Sequence, residues 1–238
     1  MLEISNLTKI YKGGKKAVSN LSLTIESGDI YGFIGHNGAG KTTAIKCIVG
    51  INDFDEGCIR IDGHSVSEEP LLCKKITAYI PDNPDLYEYL TGVQYLNFIT
   101  DMFSVSKEDR TLRMSKYADM FEITESLGDS ISTYSHGMKQ KLAIISALIH
   151  QPKLLILDEP FVGLDPKAAY VLKQIMREFC AEGGAVFFST HVLDVAEKLC
   201  NKIAIIKQGE LIASGSIDEL THGASLESVF LEVVARAE

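Results

Sequence analysis

The sequence predicts an α/β fold with a mostly parallel sheet, an N-terminal antiparallel β subdomain and an inserted helical subdomain. Three observations predict this fold. Short apolar segments alternate with helical ones after Lys153, a Gly-rich loop joins an apolar segment to a helix near residue 40, and the middle of the chain has only helical patterns. Strands that alternate with helices favour a parallel sheet covered on both faces. We therefore expect one domain, residues 1–238, with a core of 1–81 and 151–238 and a helical insertion of 82–150.

The N-terminal elements follow from the alternation of apolar and polar residues, which is typical of half-buried strands. A helix with an apolar face follows the Gly-rich loop and ends before Gly50, the residue type that most often terminates helices. The predicted elements are strands at 18–25, 30–34, 58–63 and 76–80, a hairpin turn at 12–16 and a helix at 41–49.

The C-terminal elements return to short apolar strands separated by helices. Strands are predicted at 154–157, 185–188 and 203–206, with helices at 166–180 and 192–199 between them. At the end of the chain, apolar residues spaced three and four apart predict a one-sided amphipathic helix over 226–234. We expect this helix to pack on its own domain, with contact to another subunit as the alternative.

The composition is typical of a globular chain. Lys and Arg number 23 and Asp and Glu number 32, so the formal net charge is −9, and 46% of the residues are hydrophobic. This balance excludes global disorder, and it disfavours binding of nucleic acid by bulk charge because phosphate neutralisation requires a basic surface. The longest apolar run, 142–149, is too short to span a bilayer, and residues 1–12 lack the pattern of a secretory leader. We expect a chain that does not cross a membrane by itself.

The cysteines predict neither a disulfide nor a zinc site. Their number is odd, no two have C-x-x-C spacing, and no two histidines have H-x-x-x-H spacing. We expect buried thiols and no structural metal. The cysteines are Cys47, Cys58, Cys73, Cys180 and Cys200.

A phosphate-binding loop is predicted directly after the apolar segment 30–34. The next eight residues match G-x-x-x-x-G-K-[ST], with the strand before and the helix after that this motif requires. Backbone N–H groups of such a loop point at phosphate oxygens, and the helix N-terminus adds its positive end. We expect Lys41 to reach the β- and γ-phosphates and Thr42 to contact Mg²⁺; the alternative is a flexible Gly-rich turn. The predicted nucleotide-binding residues are Gly35, His36, Asn37, Gly38, Ala39, Gly40, Lys41 and Thr42.

The second half of a nucleotide site is predicted where the apolar segment 154–157 runs into Asp158 and Glu159. The carboxyl end of a buried parallel strand is where ligands bind in open α/β sheets. Asp158 is suited to direct or indirect contact with Mg²⁺, and Glu159 to orienting or activating an attacking water. Taken alone, the pair could be solvated acids at a strand end, but the phosphate-binding loop favours the catalytic interpretation.

Three further segments complete a family pattern. Residues 134–138 read Tyr-Ser-His-Gly-Met, residues 163–165 read Gly-Leu-Asp, and His191 ends an apolar strand. Over essentially its full length the chain resembles the nucleotide-binding subunit of an ABC transporter, which has a P-loop NTPase core. In that family two subunits pair head to tail, and each ATP lies between one phosphate-binding loop and the signature segment of the partner. The resemblance implies ATP and Mg²⁺ as ligands and hydrolysis of ATP to ADP and phosphate.

The resemblance also implies roles for residues around the nucleotide. Tyr11 would stack on adenine, although it could be an ordinary strand tyrosine, and Thr43 would approach the α-phosphate. His191 would contact the γ-phosphate and link it to Glu159. With Lys41, these two are the implied catalytic residues.

The signature segment departs from the usual Leu-Ser-Gly-Gly-Gln of the family. Ser135 and Gly137 agree with it, whereas His136 and Met138 stand in place of Gly and Gln. The resemblance implies that Ser135, His136 and Gly137 contact ATP held by the partner, and the serine precedes a helix whose positive end suits a γ-phosphate. This variant resembles the branch of drug, antibiotic and bacteriocin exporters. Asp165 would lie at the dimer interface and couple the two sites.

A second departure is Asp82, which stands where the family usually has Gln or Glu. Because Asp is shorter than either, its contact with Mg²⁺ could be direct or bridged by water. The departures leave Lys41, Asp158, Glu159 and His191 in place, so we expect an active hydrolase.

Two kinds of partner are implied by the resemblance: a second ATP-binding subunit, as homodimer or heterodimer, and transmembrane permease subunits that hold the chain at the cytoplasmic face of the membrane. Residues 83–90 combine a turn with aromatic residues and are expected to dock the permease or, alternatively, to cap the next helix. We expect an exporter motor without a nucleic-acid partner. The alternatives are an ABC-type ATPase that acts on nucleic acid or ribosomes, and a module that holds ATP without hydrolysing it.

Overall fold

The computed structural model describes residues 1–236, and within that range the chain forms ten strands and nine α-helices. The strands are β1 (Leu2–Ile10), β2 (Lys16–Ile25), β3 (Ile30–Ile34), β4 (Glu56–Ile61), β5 (His64–Ser65), β6 (Thr77–Ile80), β7 (Leu154–Asp158), β8 (Ala185–Thr190), β9 (Lys202–Lys207) and β10 (Glu210–Ser216). The helices are α1 (Lys41–Ile48), α2 (Pro70–Ile76), α3 (Gly92–Met102), α4 (Lys107–Met120), α5 (His136–Leu148), α6 (Pro166–Ala181), α7 (Leu193–Leu199), α8 (Ile217–Thr221) and α9 (Leu226–Arg236).

The N-terminal strands form an antiparallel sheet with the order β2-β1-β4-β5, which confirms the predicted antiparallel β subdomain and the hairpin turn at 12–16. Its apolar face is buried: Leu2 and Leu21 are fully enclosed and pack in one cluster with Phe33 of β3 and Ile45 of α1. The sheet is therefore joined by its core to the strand and helix that flank the phosphate-binding loop.

The second sheet has the order β10-β9-β3-β8-β7-β6, and its first five strands in chain order are parallel. Every residue of β3, β7 and β8 is buried, as expected for parallel strands covered on both faces. The edge strand β10, antiparallel to β9, was not predicted, because its half-exposed Ala-, Ser- and Gly-containing sequence carries little apolar signal. The predicted parallel sheet is confirmed.

The middle of the chain is helical, as predicted, and contains α3, α4, α5 and two 3₁₀ turns. Leu142 and Ile145 of α5 share an apolar cluster with Leu155 of β7 and Phe188 of β8. The helical region therefore packs directly against one face of the parallel sheet. The exact boundaries of the insertion stay a prediction. The preceding α2 was missed because Leu71 and Leu72 are exposed, so no apolar stripe marks it.

The C-terminal helix packs on its own domain, which confirms that expectation. Leu226 and Phe230 of α9 are buried in a cluster with Ile34 of β3 and Ile205 of β9. Ala237 and Glu238 lie outside the described residues. Within residues 1–236, no helix has both the length and the apolar character needed to cross a bilayer.

The cysteines are all free thiols, as predicted. Cys47, Cys73 and Cys180 are buried, whereas Cys58 and Cys200 are half-buried, so the expectation of burial holds fully for three of the five. Burial raises the pKa of Cys47 and of Cys180 to about 11, which keeps both thiols protonated and unreactive near neutral pH.

Candidate functional site

Four segments that lie far apart in the sequence meet at one edge of the parallel sheet. Strands β3, β8, β7 and β6 are neighbours and run in the same direction, so the residues that follow them are brought together. The phosphate-binding loop follows β3, His191 follows β8, Glu159 follows β7, and Asp82 follows β6. This is the edge at which open α/β sheets bind ligands.

The phosphate-binding loop is held in shape by backbone contacts with the antiparallel sheet and with the β9–β10 turn. Gly40 has a φ of 110°, and a Cβ atom there would lie 2.4 Å from the Ala17 carbonyl oxygen, so this position requires glycine. The N–H of Gly209 donates to the Ala39 carbonyl at 2.8 Å. Helix α1 then begins at Lys41 and directs its N-terminal N–H groups toward the loop.

A cavity of about 530 Å³ lies in front of this loop. It is lined by Tyr11, Lys15, Lys16, Ala17, His36, Asn37, Gly38, Gly40, Lys41, Thr42, Thr43, Asp82, Glu159 and Gln208. Two predicted loop residues, Gly35 and Ala39, are instead buried behind it. Four residues that line the cavity were not predicted from the sequence: Lys15, Lys16, Ala17 and Gln208. The two lysines could have been noticed as a basic pair after Tyr11, whereas Gln208 is brought here only by the β9–β10 turn.

Lys41 is buried and turned toward its own loop. Its Nζ donates to the carbonyl oxygen of Gly35 at 2.6 Å and to that of His36 at 3.4 Å, and it lies 3.4 Å from Oε1 of Glu159. A phosphate oxygen is a stronger partner for an ammonium group than a neutral carbonyl. The lysine is therefore placed to exchange these contacts for phosphate.

Asp158 and Glu159 are fixed by the neighbouring strand. Ser189 of β8 stands opposite Asp158 in register; its hydroxyl donates to Oδ1 of Asp158 and accepts the N–H of Glu159, the latter at 3.0 Å. Glu159 has a φ of 48°, a left-handed conformation that is rare for this residue type and is held by these contacts. This contact of Ser189 with the two acids was not predicted from the sequence, because it depends on strand register.

Glu159 and His191 form a pair at the mouth of the site. Nδ1 of His191 lies 3.0 Å from Oε2 of Glu159. Oδ2 of Asp158 is buried and has no hydrogen-bond partner among the described residues, whereas the buried Oε1 of Glu159 faces the ammonium group of Lys41 at 3.4 Å. A buried acceptor without a donor is costly, so Oδ2 of Asp158 at this strand end indicates a place for a ligand.

The predicted Mg²⁺ ligands fit that ion by their chemistry. Mg²⁺ binds oxygen and is usually held by one or two carboxylates together with substrate phosphates. The unpartnered Oδ2 of Asp158 offers one such oxygen, and Thr42 and Asp82 line the cavity. Asp82 is exposed, and its Oδ1 accepts the N–H of Asn83 at 3.0 Å. Within residues 1–236, no three His, Cys, Asp or Glu side chains converge as a metal cluster.

Tyr11 stands at the rim of the cavity, one residue beyond the end of β1. It is 43% exposed, and its hydroxyl group lies 3.5 Å from Oγ1 of Thr43 and accepts from Nδ2 of Asn52 at 3.2 Å. Its ring is thereby held at the open end of the phosphate-binding loop. Stacking of this ring on adenine stays a prediction.

The signature segment does not line this cavity within the described chain. Ser135 caps α5 by accepting the N–H of Met138 at 3.3 Å. A Cβ at Gly163, where φ is 80°, would lie 2.4 Å from Cδ2 of His136, so the histidine ring packs directly against that loop. A Cβ at Gly137 would lie 2.9 Å from the Gly163 carbonyl oxygen. The signature segment and the loop at 163–165 therefore form a second surface.

Asp165 joins this second surface to α5. It caps α6 by accepting the N–H of Ala168 at 2.8 Å, and its carboxylate lies 2.8 Å from Nζ of Lys141. The hydrogen bond from Lys141, followed by that from Ala168, lowers the pKa of Asp165 below its usual range. The structure thus shows a structural function for Asp165, and its predicted coupling function stays untested.

Comparison with known proteins shows the family of this chain. Residues 18–162 match the family described as ABC transporter. The chain is 36% identical to the ABC-type transporter ATP-binding protein EcsA of Bacillus subtilis over 238 residues, covering 98% of this chain and 96% of that protein. It is 34% identical to the linearmycin resistance ATP-binding protein LnrL of the same organism, covering 92% of this chain and 70% of that protein. Some curated relatives are longer, and the chain spans about two thirds of their length.

The fold is also found in a solved structure. The ATP-binding cassette MJ0796, described as a dimer in a post-hydrolysis state bound to ADP and Pi, superposes with a TM-score of 0.83 at 25% identity. The match covers 91% of this chain and 99% of that one. The two-sheet architecture described above is therefore shared with a dimeric cassette.

Proposed function

This chain belongs to the ABC transporter family as an ATP-binding subunit, and we propose that it is the motor of a separately encoded membrane exporter. Such a subunit is an ATPase that converts ATP and water to ADP and phosphate. The single observation that carries the proposed site is the buried Oδ2 of Asp158, which has no hydrogen-bond partner among the described residues and lies at the strand end beside the phosphate-binding loop. That oxygen suits a cation, and Oε1 of the neighbouring Glu159, which faces the ammonium group of Lys41, suits an attacking water.

The proposed division of labour follows from the contacts of each residue. Lys41 and the loop N–H groups bind the phosphates, and Glu159 orients the attacking water with Oε1 while Oε2 is held by His191. Asp158 and Thr42 would hold Mg²⁺, which would supply neutralisation of the charge that develops on the phosphates. Ser189 keeps both acids in position.

A second copy of the chain, or a similar subunit, completes each site in this proposal. The signature segment begins a helix of 13 residues, and its N-terminus is capped by Ser135 and exposed away from the cavity of the same chain. A helix N-terminus attracts phosphate, so a partner in head-to-tail orientation supplies it with a suitable ligand. The dimeric state of MJ0796 supports this arrangement.

The surface proposed to receive the permease is an aromatic cluster on the helical region. The ring of Tyr87 contacts those of Tyr89, Tyr95 and Phe98 at centroid distances of 5.9, 6.2 and 5.6 Å. Tyr87, Tyr89 and Phe98 are exposed, whereas Leu86 is buried in the core. Both interpretations of residues 83–90 are thus supported in part: one side chain anchors the segment and two aromatic rings face outward.

An apolar groove extends this surface. It has a volume of about 300 Å³ and lies between the ends of α1 and α3, and Met102 of α3, 63% exposed, forms part of its wall. Met102 lies one helical turn after Phe98, so the groove and the aromatic cluster share one face of α3. Contiguous exposed apolar surface of this kind is typical of protein–protein interfaces.

The direction of transport is a separate part of the proposal, and we propose export. It is supported by the signature variant, with His136 and Met138, and by likeness to a protein described as a linearmycin resistance ATP-binding protein. The test is a deletion strain examined against a panel of antibiotics and on limiting nutrients. We expect sensitisation to at least one antibiotic, reversed by the wild-type chain and not by Glu159→Gln. A nutrient-specific growth defect without sensitisation would instead indicate import.

The permease partner is tested by purifying the tagged chain from detergent-solubilised native membranes and sequencing what accompanies it. We expect polypeptides with transmembrane helices, and we expect Tyr89→Ala to reduce their recovery while leaving ATP hydrolysis by the isolated chain unchanged. Leu112→Ala, which alters an exposed side chain on α4, is the matched control. Recovery of ribosomes or DNA, with hydrolysis stimulated by them, would support the alternative of a non-transport ATPase.

A further inference from the structure

The C-terminal helix contacts the phosphate-binding loop. The ring of Phe230 on α9 lies 5.1 Å from the ring of His36, centroid to centroid, and the two meet edge to face at 68°. Phe230 is 5% exposed, whereas His36 is exposed and lines the nucleotide cavity. His36 therefore touches α9 while it borders the space proposed for ATP.

Helix α9 is anchored firmly enough to act on the loop. At its beginning the N–H of Leu226 donates to Oε1 of Glu197 on α7 at 3.4 Å, and at its end Nζ of Lys207 donates to the Val234 carbonyl at 2.8 Å. Terminal N–H and C=O groups lack partners inside a helix, and these side chains each satisfy one such group, one at either end. Leu226 is also fully buried in a cluster with Ile34, the last residue before the loop.

His36 connects this helix to the catalytic lysine through its backbone. The His36 carbonyl accepts from the N–H of Ala39 at 3.1 Å and from Nζ of Lys41 at 3.4 Å. Nζ of Lys41 in turn lies 3.4 Å from Oε1 of Glu159. A shift of His36 would therefore change the direction of the carbonyl that helps to position Lys41.

We propose that Phe230 is a positioning residue for the phosphate-binding loop: it holds His36, and the affinity for nucleotide depends on docking of α9. The proposal rests on the proposed function, in which this loop binds ATP. Because coupling between two sites is reciprocal, nucleotide in the cavity also stabilises the docked helix.

The test is a double-mutant cycle on the full chain with His36→Ala, Phe230→Leu and the double variant. The readouts are the Kd for ADP, which is not hydrolysed, and the unfolding temperature. In Phe230→Leu, the leucine keeps most of the buried apolar volume but lacks the aromatic ring. We therefore expect a near-normal unfolding temperature and about fivefold weaker binding of ADP. The double variant should bind no more weakly than His36→Ala. Leu231→Ala, which alters an exposed side chain of α9, should change neither readout.

Amide hydrogen exchange of the unmodified chain gives an independent measurement. We expect ADP to slow exchange in α9, and no change on ADP binding would overturn the proposal. Normal ADP affinity in Phe230→Leu, or effects of the two substitutions that simply add, would also overturn it. Failure of the proposed nucleotide site looks different, because neither His36→Ala nor Lys41→Ala would then weaken ADP binding.

Discussion

Two surfaces of this chain differ in whether their polar groups have hydrogen-bond partners. We call them the catalytic face, at the ends of β3, β7 and β8, and the signature face, formed by residues 135–137 and 163–165. At the catalytic face, Glu159 lines a cavity and contacts both Lys41 and His191, and Oδ2 of Asp158 has no hydrogen-bond partner among the described residues. At the signature face, Ser135 caps a helix and Asp165 both caps a helix and pairs with Lys141. The first face is arranged for a ligand within one chain, whereas the second is internally stable and is proposed to act on the ligand of another chain.

The largest expected effect is on the catalytic face. Glu159→Gln keeps the shape of the side chain but removes the charge that orients water, so we expect turnover to fall by about 10³-fold while ATP still binds. Steady-state phosphate release measures the turnover. Sedimentation of the variant in the presence of ATP should show an ATP-bound dimer that persists because ATP is not hydrolysed. Glu182→Gln, an exposed acid at the end of α6, is the control. Full turnover by Glu159→Gln would remove Glu159 from the proposed mechanism.

The second effect separates binding from turnover on the same face. Lys41→Ala removes the buried ammonium that faces the loop carbonyls, and we expect nucleotide affinity to fall roughly 30-fold because a charge-assisted contact with phosphate is lost. Calorimetric titration with ADP measures it. Lys46→Ala, on the same helix but not lining the cavity, should bind normally. Equal affinities of the two variants would mean that the loop is not the nucleotide site.

The third effect tests whether the signature face acts on another chain. Ser135→Asp retains a good helix cap but places a negative charge where a partner's phosphate is proposed to bind. We expect at least about tenfold lower turnover, with ADP affinity of the isolated chain unchanged. Thr91→Asp alters the capping residue of α3, whose hydroxyl accepts the N–H of Gln94, and serves as the control. A loss of ADP affinity in Ser135→Asp would contradict the division into two faces.

The smallest effect concerns the stability of the signature face in acid. The pKa of Asp165 is lowered in the folded chain by Lys141, so this contact stabilises the fold above the ordinary carboxyl pKa of 3.8. The stabilisation disappears as the pH falls through the lower pKa of the folded state. Lys141→Gln should therefore lower Tm by at most about 2 °C at neutral pH, because solvent reaches the half-exposed Asp165 and screens the pair, and the difference should shrink in strong acid. A difference in Tm between the variant and the unmodified chain that stays the same at every pH would rule out this electrostatic cause.

The elements with strong local signals were predictable, and those without them were not. Strands β3 and β7 are continuously apolar and bounded by the loop and the acids, so both were located from sequence. Strand β10 and helix α2 were missed because half-exposed elements carry weak periodicity. In the site, Gln208 and Ser189 were missed since neither belongs to a local motif, and strand pairing alone brings Ser189 to Asp158.

The sequence by itself determined the chemistry proposed for this protein: a loop predicted to bind phosphate, two acids at a strand end, and a signature segment that begins a helix. These depend on short-range order, because turn geometry and helix ends are set by neighbouring residues. The tertiary structure decided the relations between them. Strand order brings Glu159 into contact with both Lys41 and His191, register pairs Asp158 with Ser189, and packing brings Phe230 to His36. Such contacts join residues that the chain separates by 30 or more positions, and only the burial of a shared core brings them together.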